Sequence, residues 1–380
     1  MALEVGREQV IAHRWRAHQL DREPGAASGL DDVAMLDVGV QDTGPVAARW
    51  ALVNRGLASY DEAEALLAWT VRSSPHLYRR ADAAAVAVAT APLSENDAAR
   101  RVFDASKPLR QAGIPVLEAL AVIARTQRAL VRKPTVKGDL STSLTERLEP
   151  HSLRYCRPCD AIHAWENPFR MAPLQAGLEL QPGTSPPVLQ RITGLRPLYF
   201  RTPGTQAEPR FDQVRGYLHH FGPARPQEVA AHLDSAVKDV RAHWPDGAVP
   251  VDVDGFPGVS GDRFALEEDV ASLTSGPERA GRVRLLAPFD PWLQLRERAT
   301  LVDDRARAKD LWRNLGRPGA VVVDGEVVGT WRPKSAGARL TITWEPWAPL
   351  TKAQVVRAEQ EAGLLAEVRG QVLAGFVRAD

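Results

Sequence analysis

The stretch from Arg215 to Leu266 constrains the fold more than any other, because it switches from helical spacing to strand alternation within one short segment. Arg215-Gly-Tyr-Leu-His-His-Phe221 closes a helix, Gly222-Pro223-Ala224-Arg225-Pro226 turns the chain, and Gln227 to Leu233 makes a short second helix. Asp234 or Ser235 then caps a third helix that runs through Trp244. Beyond Pro245-Asp246-Gly247 the apolar positions Val249, Val251 and Val253 alternate, a Gly-rich tip spans Gly255 to Gly261, and Arg263 to Leu266 returns as a strand. A helix-turn-helix followed by a two-stranded ribbon is the order of a winged helix. Any small helical domain imitates that order once, so the weight lies in recurrence.

The order recurs twice upstream. Glu8 to Leu20 reads as a helix with Val10, Ile11, Trp15 and Leu20 inward and Arg14, Arg16 and His18 at polar positions. After a loop rich in Gly, Pro and Ala from Asp21 to Gly29, Tyr60 to Trp69 reads as a helix with Leu66, Leu67 and Trp69 as its apolar residues. Val71 to Tyr78 follows as a strand or hairpin, with another helix start near Asp82. In the middle, Gly113 begins a helix whose apolar positions continue through Val122 and Ile123 to Leu130, and Lys137 to Glu146 holds a Ser/Thr-capped start with Glu at capping-box spacing. The character changes near Arg282. Val283 to Leu286 and Arg339 to Trp344 read as strands, Asp324-Gly325 as a hairpin turn between Ala320–Val323 and Val327–Trp331, and Thr351 as the cap of a helix reaching Val368. The expected architecture is α+β: three tandem winged-helix domains over residues 1–95, 96–190 and 191–278, the second carrying a Cys/His linker. Residues 279–380 are expected to form a β-barrel-like domain with a closing helix.

With 380 residues, 44% hydrophobic and 25% charged, the chain can bury several cores. No apolar run approaches the roughly 18 residues a membrane span needs, and Met1-Ala-Leu-Glu-Val lacks a basic start followed by an apolar core. The expectation is a monomeric cytoplasmic protein, nucleoid-associated, with no membrane partner. Two cysteines, Cys156 and Cys159, exclude a disulfide framework. The net charge of +1 predicts no partner, but its distribution is uneven. Arg125, Arg128, Arg132, Lys133 and Lys137 belong to one basic run, and Arg191 to Arg225 repeats the bias. Such runs suit a phosphate backbone, whose neutralisation releases counterions, and they equally suit a solvated basic face.

Val38-Gly39-Val40-Gln41-Asp42-Thr43-Gly44-Pro45 is neither a good helix interior nor a strand centre, because Gly and Pro punctuate it. It reads as a tight loop delivering Gln41 and Thr43 to a surface or cleft. Pro45 is placed to open a helix, with Val46, Trp50, Val53 and Leu57 at helical spacing and Arg49 on its polar side.

Five motifs carry a family resemblance. Gly39-Val40-Gln41-Asp42-Thr43, Arg72-Ser-Ser-Pro-His76-Leu, Phe221-Gly-Pro-Ala, Leu285-Leu-Ala-Pro-Phe-Asp290 and Asp324-Gly-Glu-Val-Val-Gly-Thr-Trp331-Arg332 together resemble the AlkZ/YcaQ family of winged-helix, crosslink-repair DNA glycosylases, in the same order over most of the chain. The resemblance implies three winged helices and a β-barrel around a DNA-binding channel, with double-stranded DNA carrying alkylated bases as the partner. It implies hydrolysis of the N-glycosidic bond of N7-alkylated purines, including interstrand crosslinks, with no cofactor required. The family's catalytic loop carries a Gln and, two residues later, a Gln or an Asp; here the first maps to Gln41 and the second position holds Thr43. A Gln amide orients water, and a Thr hydroxyl both donates and accepts. Gln41 has a second reading as a structural hydrogen bond in a tight turn. Asp42 either places negative charge near the sugar or caps the following helix. Arg72 and His76, in the family's Arg-x-x-x-His motif, are read as DNA contacts alongside Arg49, and His76 has a second reading as a buried hydrogen-bonding residue.

His151-x4-Cys156-x2-Cys159-x3-His163 has the spacing of a tetrahedral zinc knuckle with both histidines as ligands, giving a possible structural zinc; reduced cysteines in a linker are the other reading. Three functions fit the whole sequence. They are a DNA glycosylase, a non-catalytic winged-helix DNA-binding protein, and a ligand-responsive transcription regulator. The regulator would need a two-fold dimer, against which three unlike copies in one chain argue.

Overall fold

A computed structural model describes residues 2–256 and 263–379, so most of the expected Gly-rich tip lies outside the described residues. The chain opens with strand β1 (Leu3–Gly6) and helix α1 (Arg7–Ala17). Strand β2 (Val40–Gln41), helix α2 (Ala47–Val53), strands β3 (Ala65–Trp69) and β4 (Pro75–Arg79), and helices α3 (Ala83–Ala89), α4 (Glu95–Arg101), α5 (Ser106–Gln111) and α6 (Val116–Leu130) follow. The middle holds β5 (Thr135–Val136), α7 (Lys137–Thr145), β6 (Leu153–Cys156), β7 (Ala161–Ala164), α8 (Glu166–Gln175), β8 (Leu178–Leu180) and β9 (Val188–Arg191). Then come α9 (Gln213–Phe221), α10 (Pro226–Leu233), α11 (Val237–Ala242), β10 (Ala248–Asp254), β11 (Arg263–Leu266) and α12 (Val270–Thr274). The last part is β12 (Val283–Leu286), α13 (Arg305–Leu311), β13 (Gly319–Val323), β14 (Glu326–Ala336), β15 (Arg339–Pro346), α14 (Lys352–Val368) and β16 (Val372–Arg378).

The mixed α+β character is as expected, and the segment that most constrained the reading holds its elements. Asp212 Oδ1 accepts from the Arg215 N–H at the start of α9, and Pro226 occupies the first turn of α10, where no N–H is needed. The third helix is shorter than expected: Asp234 lies in the left-handed region as the end of α10, and α11 starts only after Ala236. Strands β10 and β11 pair antiparallel, and β1 joins β10 in parallel through Leu3↔Val251 to Gly6↔Asp254.

Three expectations are overturned. Tyr60 to Trp69 is not a helix, since Ala65–Trp69 forms β3 against β4. All five residues are buried, and a short apolar run buried on both faces has no periodicity to separate strand from helix. The Ser/Thr cluster in Lys137–Glu146 starts no helix but lies inside α7, already wound from Lys137. Arg14 and His18 are not on a solvated face; both are buried, because α1 packs on α9 and α12. Arg14 Nε donates to the Gly222 carbonyl at 3.0 Å and its Nη1 to Thr300 Oγ1 at 3.1 Å, which offsets the cost of burying the cation.

The seam between α1 and α9 is built from histidines. His18 Nε2 meets the His220 carbonyl at 3.1 Å, His220 Nδ1 meets the Ala17 carbonyl at 3.1 Å, and His13 Nε2 meets the His219 carbonyl at 3.1 Å. The rings pack edge-on, 5.5 Å apart for His18 and His220.

One hydrophobic core gathers residues between Ala27 and Phe200, and a second joins Ile11, Trp15 and Leu20 to α9–α11 and to Trp292, Trp312 and Val322. Strands β12 to β16 form a five-stranded sheet in sequence order, curled through half a barrel, with Ala358, Ala362 and Leu365 of α14 packed on it. Thr351 caps α14 as expected, and Gln354 completes a capping box with it. That helix does not end the domain, since β16 follows and pairs parallel with β15.

Candidate active site

The Gln41 loop is more ordered than its glycines suggest. Val40 and Gln41 form β2, an edge of the three-stranded sheet β2-β4-β3, with Gln41 directly opposite His76. Gly39 precedes them at φ +97, and a Cβ there would sit 2.5 Å from the Tyr78 ring, so a larger residue cannot pass. Asp42 hands the chain over to α2: its Oδ1 accepts from the Ala48 N–H at 3.0 Å. Burial raises the Asp42 carboxyl above the usual range, against the lowering effect of that hydrogen bond. The geometry is that of a cap. Pro45 lies in the turn and Val46, at φ +51, precedes the helix. Helix α2 is anchored to the sheet domain by Trp50 Nε1, which donates to the Leu285 carbonyl at 2.5 Å. Just past its end, Arg55 pairs both nitrogens with Asp290 at 3.0 Å in full burial.

Gln41 is not delivered to an open surface, since only 6% of it is exposed. Its Nε2 donates to Thr43 Oγ1 at 2.9 Å, and its Oε1 accepts from Arg72 Nη2 at 3.2 Å. Arg72 sits at φ +55 and also donates to the His232 carbonyl at 2.7 Å and to Gln294 Oε1 at 3.2 Å. No carboxylate lies within ion-pair distance of it among the described residues. Burial first, and then the Arg296 charge, pulls the guanidinium down to about 10. It therefore stays charged at neutral pH, held by neutral oxygens, and its cation fixes which end of the Gln41 amide faces it.

His76 is buried, with Nδ1 on the Ser74 carbonyl at 2.9 Å. Burial, reinforced by Arg72, pushes it down to about 3, so it is neutral. Gln41, Arg72, His76, Tyr217, His232 and Gln294 line a cavity of about 30 Å³. That is room for about one or two water molecules. Sequence reasoning missed Tyr217, His232 and Gln294, which carry no local motif and reach the cavity from distant elements.

The basic candidates divide. Arg49, Arg125, Arg132 and Lys133 are exposed. Arg128 donates to the Gly177 carbonyl at 2.9 Å, and Lys137 pairs with Glu166 at 2.6 Å beneath the Phe169 ring. Much of the run from Arg191 to Arg225 is committed internally. Arg191 holds the Val131 and Arg128 carbonyls, Arg210 pairs with Asp37, Arg215 with Glu268, and Arg225 with Glu228 and Glu297. Glu166 also accepts from Arg170 Nε at 2.6 Å, and Arg170 Nη1 reaches the Ser73 carbonyl at 3.3 Å, beside Arg72. Helix α8 thus supports the loop that carries Arg72.

Cys156, Cys159 and His163 converge, with their donor atoms within 4.8 Å of one another. His151, expected as a fourth ligand, is not in the group. It sits on the turn Pro150–Ser152 before β6, outside the hairpin that brings the other three together.

A family model for DNA glycosylase AlkZ-like proteins matches residues 38–370. A search of curated proteins finds no match. Among solved structures, Streptomyces sahachiroi DNA glycosylase AlkZ superimposes with a TM-score of 0.70 at 19% identity, covering 99% of this chain and 100% of that one. The structural likeness shows a shared fold. The family match covers the Gln41 loop, the Arg72–His76 segment and strands β12 to β15, and it places the chain in the AlkZ-like DNA glycosylase family, hydrolases of N-glycosyl bonds.

Proposed function

We propose that the chain hydrolyses the N-glycosidic bond of N7-alkylated purines in double-stranded DNA, including purines joined in an interstrand crosslink, as a monomer and without a cofactor. The observation that carries this reading is that Gln41, which donates to Thr43 Oγ1 at 2.9 Å, lines a cavity of water size. N7-alkylation makes the purine cationic, so the C1′–N9 bond breaks with its electron pair going to N9 and a neutral base leaves. Water adds to the oxocarbenium carbon and gives up one proton. No strong nucleophile is needed, only a water held in line. The Thr43 hydroxyl, accepting from Gln41, keeps its own hydrogen to donate, and the Gln41 carbonyl has a second lone pair beside Arg72 to accept from the water. Asp42 acts as the cap of α2, and neutral His76 as part of the wall.

We read residues 1–95, 96–190 and 191–278 as three winged-helix units and 279–380 as the half-barrel domain. Arg49, Arg125, Arg132 and Lys133, all exposed, serve as contacts to DNA phosphates. Arg128, Lys137, Arg72 and His76 act by position instead, because their polar atoms are already engaged.

The test is release of N7-methylguanine and unhooking of a nitrogen-mustard crosslink by the wild type, Gln41→Ala and Thr43→Ala. Loss of a group that positions the attacking water lowers the rate by about 10²-fold. A Gln41→Ala protein that is folded and unchanged in rate removes the assignment.

A further inference from the structure

We propose that Cys156, Cys159 and His163 bind one zinc ion, with the fourth corner of the tetrahedron left to solvent. The three donors come from one hairpin. Cys156 ends β6, Cys159 lies in its turn, and His163 sits on β7 opposite Arg154. Their donor atoms lie within 4.8 Å of one another. Zn–S bonds of about 2.3 Å in a tetrahedron put sulfurs about 3.8 Å apart, so rotation of the side chains brings them to bonding positions without moving the strands.

The imidazole is already oriented. His163 Nδ1 lies 2.7 Å from the Ala164 carbonyl, so it carries the hydrogen and leaves Nε2 as the free lone pair. Two thiolates and an imidazole are a soft set, suited to zinc and poorly suited to magnesium or calcium. His151 stands outside the cluster, so the site has three protein ligands instead of the four that the sequence spacing suggests.

The hairpin has reason to need such a clasp. Strands β6 and β7 form a two-stranded sheet of their own. Their paired residues Tyr155 and Ile162 are 59% and 60% exposed, so that face buries little. Only the end at Leu153 and Ala164 reaches the core, beside α7, and metal binding to a site absent from the unfolded chain adds its free energy to folding. The return strand continues through Trp165 into α8, whose Arg170 holds the Ser73 carbonyl, so the clasp steadies an element that supports the Arg72 loop.

The experiment uses the full chain, purified under reducing conditions, with zinc measured by elemental analysis and cobalt(II) as the spectroscopic probe. One zinc per chain is expected, with thiolate-to-cobalt charge transfer and tetrahedral ligand-field bands on substitution. Cys159→Ser, at an exposed turn position where the fold is little affected, weakens zinc by at least about 100-fold, beyond the 10–100-fold lost when only a partner of a ligand is removed. His163→Ala removes the metal as well, and His151→Ala leaves stoichiometry and spectrum unchanged. Amide exchange across residues 153–164 slows on adding zinc. The proposal is overturned if the wild type, with both thiols titratable, takes up no stoichiometric zinc or cobalt. It is equally overturned if the cysteines are isolated as a disulfide, or if His151→Ala abolishes binding.

Discussion

Acid destabilises this protein well above the pH at which carboxylates protonate. Five histidines are held below their ordinary value of about 6.5, chiefly by burial: His13 at about 4, His76 at about 3, and His18, His220 and His232 well below. A depressed histidine stays neutral in the folded state while the unfolded chain takes up a proton, so its contribution is complete above pH 6.5 and falls as pH drops toward the folded value. At pH 5.5 each such group costs about 1.4 kcal/mol relative to neutral pH, and five together cost about 7 kcal/mol as an upper bound. His219 and His243 work in the other direction. Burial alone would lower His219, but Asp269 raises it, and Asp212 raises His243. A net loss of about 3–6 kcal/mol is therefore expected, a large share of the 5–15 kcal/mol typical of folded proteins. Urea unfolding between pH 7.5 and 5.5 reads it directly, with about three to five protons bound on unfolding at the lower end. His18→Gln and His220→Gln, at the seam of α1 and α9, each reduce that uptake by about one. An uptake below about one proton at pH 5.5 would refute the account, because it would mean these rings are hydrated or charged in the folded state.

Three further outcomes follow from the site and its supports. Arg72→Met leaves the Gln41, Gln294 and His232 oxygens facing a thioether, at about 1–3 kcal/mol each; relief of the burial that lowers the guanidinium returns about 3 kcal/mol. The net loss, about 0–6 kcal/mol by urea unfolding, is accompanied by a fall in base release of about 10²-fold, because the Gln41 amide loses its anchor. Asp290→Asn strands the fully buried Arg55 charge and costs about 3–5 kcal/mol, read as a lowered unfolding midpoint at unchanged slope. Gly39→Ala drives a methyl into the Tyr78 ring at φ +97, and base release falls together with stability; full activity in a stable Gly39→Ala protein would show that this loop tolerates displacement.

What the sequence made legible follows from how local each signal is. The α9–α10 turn is written in Gly222, Pro223 and Pro226, the β13–β14 hairpin in Asp324-Gly325, and the start of α14 in Thr351, where a backbone requirement meets a residue that satisfies it alone. Ala65–Trp69 carries no such mark, because a run apolar at every position serves strand and helix equally. Arg14 and His18 looked polar because their partners, the carbonyls of Gly222 and His220, lie some two hundred residues away. The Gln41–Thr43 pair was legible as a pair two residues apart. Its burial was not, since Arg72, His232 and Gln294 close over it from separate elements.

Strand β1 and helix α1 precede the elements that cover them by some two hundred residues. Their neighbours, β10, α9 and α12, are translated only after most of the chain has left the ribosome. Until then Val10, Ile11 and Trp15 lack the partners that bury them, and the segment waits as an uncovered tether. When it docks, it staples β1 and α1 to a distant part of the chain, so a bulky insertion or a cut between Ala17 and Leu30 strikes at that long-range closure.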